Sequence, residues 1–181
     1  MSYYVDAVSN RCEVKGNIIN SALFAMDDFQ DILLEILNEN GIEKPEADKW
    51  YPQALFINIL LELMRSTGKN TLLKIGRIII MNLLNQRNIN SLEDALSQLP
   101  IIYALIHRGY GEGGINLVRT SSCSAILICD TPYPEELLFG MLQFIGLTYR
   151  PKGRYVYINV KKEYLYRERR DMNTRRFIIS W

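Results

Sequence analysis

The stretch Gly113–Gly146, GGINLVRTSSCSAILICDTPYPEELLFGMLQFIG, limits what this chain can fold into more than any other. Two apolar runs, Ile115–Val118 and Ala125–Cys129, flank the polar Arg119–Ser122, which is the order of a β-hairpin. The continuous apolarity of the second run predicts a strand covered on both faces; periodicity alone leaves a buried helix open. Asp130-Thr-Pro-Tyr-Pro134 ends that run, because each proline fixes its own φ and pushes its predecessor towards extended geometry. Pro134 suits the first turn of a helix, and Glu135 and Glu136 bring carboxylates to the positive end of its dipole. Leu137, Leu138, Met141, Leu142 and Ile145 then recur at helical spacing as far as Gly146. The proline corner reads as a stiff strand-to-helix connector, with a pocket corner as the functional alternative.

Before this unit the pattern is helical. Glu13–Ile19 is a short strand or the start of the first helix. From Ser21, Leu23, Phe24, Met26, Phe29, Ile32, Leu33, Ile36 and Leu37 suit helical packing. Asp28, Asp31 and Glu35 fall near one polar side, read as a solvated face rather than a metal site. Asn40-Gly41 ends the segment, and Glu43–Lys49 is a polar loop. Trp50-Tyr-Pro52 opens the next helix, on which Leu55, Phe56, Ile59, Leu60, Leu63 and Met64 cover a broad face. After a turn at Ser66–Asn70, Thr71–Gln86 is apolar around most of its circumference. Gly76 inside it weakens the helix by about 1 kcal/mol relative to alanine, and fits a close backbone or ligand approach. These two helices are the candidate wall of an apolar cavity; a completely filled core is the alternative.

Ser91-Leu-Glu-Asp94 reads as a helix N-terminal cap. The helix reaches Leu99 and is interrupted or restarted at Pro100, after which Tyr103 and His107 fall at i, i+4 on one face. Gly109–Gly114 matches G-x-G-x-x-G but leaves a helix and enters a strand, the reverse of what a phosphate-binding helix N-terminus needs. It is read as a turning connection. Downstream, Tyr155, Tyr157 and Asn159 alternate with Val156, Ile158 and Val160 as in a strand. Lys161–Thr174 reads as a basic hairpin extension, and Arg176–Trp181 as the terminal strand.

A chain of 181 residues, 48% hydrophobic and 23% charged, is expected to form one globular domain over 1–181. The net charge of +1 hides a basic C-terminal segment: residues 151–181 carry nine Lys/Arg against three Asp/Glu. Such a split suits an anionic contact or one solvated sheet edge. With no accompanying nucleic-acid motif, nucleic-acid binding is the disfavoured reading. Cys12, Cys123 and Cys129 have neither the number nor the spacing of a disulfide framework or zinc site, which points to a cytoplasmic, reducing setting. MSYYVDAVSN lacks the basic start and apolar core of a secretory leader. Ala54–Leu61 and Ile78–Leu84 are too short to span a bilayer. One histidine and no G-x-S-x-G elbow, Walker loop, H-E-x-x-H or paired CxxC point away from an enzyme.

Several pieces occur together in a familiar order: Val14-Lys-Gly-Asn-Ile-Ile19, Trp50-Tyr-Pro52, Leu72-Leu-Lys-Ile-Gly-Arg77, Cys129-Asp-Thr-Pro-Tyr-Pro134 and Phe177-Ile-Ile-Ser-Trp181. In these the chain resembles the small-molecule-binding domains of the 4-vinyl-reductase type and their relatives, the heme–nitric-oxide-binding domains and the trafficking-complex subunits. The resemblance spans nearly the whole chain. It implies an α+β fold, N-terminal helices packed on a C-terminal antiparallel sheet with one inserted helix, and a sensory or regulatory role, frequently in a dimer. No cysteine follows Cys129, unlike the clustered C-terminal cysteines of many vinyl-reductase-type domains. The heme-binding relatives use a proximal histidine on a helix preceding the sheet and a Tyr-x-Ser-x-Arg motif. Here His107 is the only candidate ligand, and the nearest match to the motif, Tyr157-Ile-Asn-Val-Lys161, lacks both serine and arginine.

The resulting expectation is a non-enzymatic domain that binds an apolar or lipid-like small molecule and signals to a protein partner. Phe56, Leu60, Ile75 and Ile79 would form its apolar wall, with Tyr103 and His107 as polar handles. An assembly module with a filled core is the alternative, and a heme-based gas sensor using His107 is the third reading. No cofactor is the leading expectation, and heme is the one cofactor the resemblance admits.

Overall fold

The computed structural model describes residues 12–26, 30–109, 113–164 and 173–181. A short strand, β1 (Cys12–Lys15), runs directly into α1 (Gly16–Ala25), followed by α2 (Gln30–Glu39). Next come β2 (Trp50–Pro52), α3 (Gln53–Thr67), α4 (Lys69–Leu84), α5 (Leu92–Ile106) and β3 (His107–Gly109). The C-terminal part holds β4 (Gly114–Ser121), β5 (Ser124–Asp130), α6 (Glu135–Thr148), β6 (Tyr157–Tyr164) and β7 (Asn173–Ser180). The fold is α+β. A four-stranded antiparallel sheet, β4-β5-β7-β6, carries α6 as its inserted helix, and a small sheet, β2-β1-β3, ties the helical part together. Residues from the helices and from both sheets share one hydrophobic core.

The small sheet is what sequence reading missed. Val14 sits opposite Tyr51 on one side and His107 on the other, so β1 joins three segments far apart in the chain. Glu13–Ile19 is therefore both a strand and a helix start. Trp50-Tyr-Pro52 is a strand, and the helix begins only at Gln53. The loop after α2 folds back over the start of α1, where the amide of Gly16 donates to Lys49 O at 2.8 Å. The expected helical stretch from Ser21 to Leu37 is two helices, and Phe24 is 63% exposed rather than packed. Asp27, Asp28 and Phe29 lie outside the described residues, as does Tyr110–Glu112 of the glycine-rich connection.

Pro100 does not interrupt α5, which runs unbroken from Leu92 to Ile106. The apolar repeat Leu92, Ala95, Leu96, Leu99, Ile102, Tyr103, Ile106 is buried on both sides of the proline. Its continuous stripe offsets the cost of a missing hydrogen bond, about 3 kcal/mol. At the Ser91 cap the hydroxyl accepts from Asp94 N at 3.0 Å, and the Asp94 carboxylate accepts from the amide of the preceding residue, Asn90 N, at 3.3 Å. In β5, Ala125, Leu127 and Cys129 are buried while Ser124, Ile126 and Ile128 are only half-buried, so the strand is covered fully on one face. Gly76 admits the backbone of α6, because a Cβ there would fall within contact of the Leu137 carbonyl and 3.1 Å from Met141 N.

Candidate functional site

Three junctions converge on one buried cluster. Gln53 is the first residue of α3, Tyr103 lies in the last turn of α5, and His107 opens β3 immediately after it. Tyr133 stands between Pro132 and Pro134 at the corner linking β5 to α6. Both prolines restrict the backbone there, so the corner that carries Tyr133 is rigid. The register of the small sheet sets the remaining direction: Val14 opposes His107 and Glu13 opposes Arg108, so the imidazole points inward and the guanidinium outward. Arg108 bonds Glu13 at 2.6 Å and lies over the Trp50 ring at 4.5 Å. His107 is thus not on a helix face, as its spacing from Tyr103 suggested. Its backbone is already extended, with φ −124° and ψ 151°.

The hydrogen bonds fix the tautomer. His107 Nδ1 lies 2.9 Å from the Tyr103 carbonyl, which can only accept, so Nδ1 carries the proton. Nε2 then presents its lone pair and accepts from the Tyr133 hydroxyl at 2.6 Å. The Tyr103 ring stacks on the imidazole at 4.0 Å, and Phe56 meets the Tyr133 ring edge-on at 6.1 Å. Gln53 donates from Nε2 to the Tyr103 hydroxyl at 3.4 Å, while its Oε1 is buried without a partner. Burial lowers the His107 pKa to about 4, partly opposed by its bond to the Tyr103 carbonyl, so the ring is neutral near pH 7. Burial likewise pushes the Tyr133 phenol well above its usual range, with the Gln53 amide working against it. The cluster is a neutral, hydrogen-bonded chain with one open acceptor.

Of the six residues singled out from the sequence, Phe56, Tyr103 and His107 meet in this cluster. Leu60, Ile75 and Ile79 belong to the same core but make none of its ring or polar contacts. Phe56, Leu60 and Ile75 are each 0% exposed, so no water-sized sphere reaches them from outside or from an internal void. Tyr133 and Gln53 were not anticipated. The only signals for them were a tyrosine locked between two prolines and a glutamine at the start of a largely apolar helix. Tyr157, in the nearest match to the heme-relative motif, is exposed on β6 and enters none of the cluster's contacts. Among the described residues no group of three His, Cys, Asp or Glu is placed to hold a metal ion, and no helix is long and apolar enough to cross a membrane.

No protein-family model and no curated protein sequence matches this chain. Solved structures do. One from a study of heme distortion in the H-NOX family superposes with a TM-score of 0.71 at 13% identity, covering 92% of this chain and 94% of that one. An oxygen-binding H-NOX domain related to soluble guanylate cyclases, in its oxygen complex, gives 0.64 at 14%, over 92% and 94%. The Fe(II) unliganded H-NOX protein from K. algicida gives 0.65 at 14%, over 92% and 95%. At this level of identity the likeness is one of fold: the chain has an H-NOX-like α+β fold, the architecture of the heme–nitric-oxide-binding domains in the resemblance.

Proposed function

We propose that this chain is a non-catalytic sensory domain that reads a small molecule at His107 and passes the change to a protein partner in the cytoplasm. The observation that carries this reading is the bonding of His107: a buried neutral imidazole, its Nδ1 tied to a carbonyl and its Nε2 lone pair held by a single hydroxyl. The H-NOX-like fold supports it, since the similar structures include an oxygen-binding domain. Tyr103, His107 and Phe56 form the near side of the site, and Leu60, Ile75 and Ile79 the packed wall behind it. The dimer implied by the resemblance belongs to the same proposal, and light scattering of the purified chain tests it.

Heme is the first guest to weigh. The donor fits an axial ligand in its chemistry, because a carbonyl on Nδ1 fixes the tautomer that leaves Nε2 free to coordinate. The space does not fit. Tyr133 lies 2.6 Å from Nε2, along the direction a metal would take, and the Tyr103 ring covers one face of the imidazole. With Tyr133 in place the residues do not admit a macrocycle. What they fit is a closed site in which the Tyr133 hydroxyl holds the position of a guest.

Hemin titration followed by absorption, with wild type, Tyr133→Ala and Tyr133→Ala/His107→Ala, tests the site. The expected result is little or no Soret band for wild type, a His107-dependent band once Tyr133 is shortened, and loss of that band in the double variant. Mass spectrometry of organic extracts from the wild-type chain runs beside it. No His107-dependent binding and no co-purified small molecule would overturn the sensor reading. The alternative, an assembly module with a filled core, would then stand, favoured by the complete burial of Phe56, Leu60 and Ile75.

A further inference from the structure

Away from His107, a solvent-open cleft of about 260 Å³ lies between the C-terminal half of α6, the approach to β6, and Arg77 of α4. Its construction follows from four glycines. Gly76 and Gly140 let α4 and α6 meet backbone to backbone, which brings Arg77 beside Gln143; Arg77 Nη2 donates to Gln143 Oε1 at 2.6 Å. Gly153, at φ +76°, turns the chain back so that Val156 lies over Gly146, where an added Cβ would be 3.1 Å from Val156 Cγ1. The floor is Phe139, Val156 and Ile158; the rim carries Leu147 and Tyr155, which are 64% and 72% exposed.

The charges on this cleft are of one sign. Among the described residues, Arg77 and Arg150 line it and no carboxylate does. The ion pairs of the described residues use Lys49, Lys69, Arg108 and Arg119, so neither cleft arginine is neutralised by one of them. A guanidinium presents a planar fork of N–H donors matched to carboxylate or phosphate oxygens.

We propose that this cleft binds a small soluble anionic amphiphile, a carboxylate or phosphate monoester on a short apolar body. The headgroup sits between Arg77 and Arg150 and the body rests on Phe139, Val156 and Ile158. The cleft, about 260 Å³ and open to solvent, takes the headgroup and the first carbons of the body, and the remainder of a longer chain extends into solvent. This site is separate from the His107 cluster and stands or falls apart from it.

Octyl phosphate, octan-1-ol and inorganic phosphate, each titrated into the ¹⁵N-labelled full chain, test it by amide shifts. Octyl phosphate is expected to bind roughly tenfold tighter than either half-molecule and to shift residues 143–158 most. Arg77→Gln and Arg150→Gln each weaken it about fivefold. Lys74→Gln, an exposed cation on the same helix outside the cleft, leaves it unchanged. Equal binding of octan-1-ol, or undiminished binding by the Arg77→Gln/Arg150→Gln double variant, would overturn the proposal. So would sedimentation with phosphatidylserine vesicles that excess octyl phosphate fails to displace, since the cations would then serve a lipid surface.

Discussion

Replacing Gly76 by alanine sets two known effects against each other, and the structure says which wins. In an isolated helix the change stabilises by about 1 kcal/mol. In this chain the new Cβ would meet the Leu137 carbonyl, with its carbon only 3.0 Å away, where ordinary contact begins near 3.4 Å and the carbonyl oxygen lies closer still. The obstacle is backbone inside α6, held by that helix's own hydrogen bonds, so no rotamer change relieves it. The helices must separate by about 1 Å, and a gap of that size forfeits up to roughly half of the dispersion attraction across the seam. That seam includes the buried Leu72, Ile75, Leu137 and Leu138. Overpacking of a filled core costs about 1–3 kcal/mol or more, and an unyielding backbone places this site at the upper end. The net expectation is a loss of about 2 kcal/mol, or roughly 4–8 °C in Tm for a chain of this size. Gly140→Ala acts on the same seam from the other side, its Cβ 2.8 Å from Leu73 Cα. Because one separation accommodates both methyls, the double variant should lose less than the two single losses together, by about 1 kcal/mol. Urea denaturation followed by circular dichroism measures all three. An unchanged or raised midpoint for Gly76→Ala would refute the backbone contact, and strict additivity would refute the shared separation.

Two further outcomes concern the buried cluster. His107 has a folded pKa of about 4 against an ordinary 6.5, so the unfolded chain takes up a proton that the folded chain refuses. The stability of the neutral ring is intact above the unfolded value and is lost as pH falls towards 4, by roughly 3 kcal/mol in all. The urea midpoint of wild type should therefore drop more steeply between about pH 7 and about pH 4.5 than that of His107→Gln; parallel curves would refute the assignment. Tyr133→Phe leaves Nε2 without its donor in a buried site and should cost about 1–3 kcal/mol, whereas Tyr133→Phe/His107→Leu, which removes both polar partners, should recover most of that loss. A double variant as unstable as Tyr133→Phe would show that packing, not the hydrogen bond, sets the cost.

The parts of the fold that sequence reading found are those whose cause is local. The hairpin across Ser121–Ser124, the cap at Ser91, the helix after Pro134 and the close approach at Gly76 each follow from a few adjacent residues. The helix through Pro100 was misread because one helix-breaking residue was given more weight than an apolar repeat running past it on both sides. The small sheet was not legible, since strands of three or four residues are too short to show a period, and Val14 meets Tyr51 and His107 only after the helices have packed.

The same limit explains why His107 was found and its chemistry was not. A sequence shows that an imidazole exists; its reactivity depends on which nitrogen holds the proton and what faces the other. Both partners here come from chain geometry: the Tyr103 carbonyl is reached because the chain leaves the helix at His107, and the Tyr133 hydroxyl because two prolines hold the corner 26 residues away. Had α5 continued through His107, its Nδ1 would have no reason to meet that carbonyl and either tautomer would serve. The extended backbone at this one residue therefore selects the lone pair on Nε2, and Tyr133 decides whether anything else can reach it.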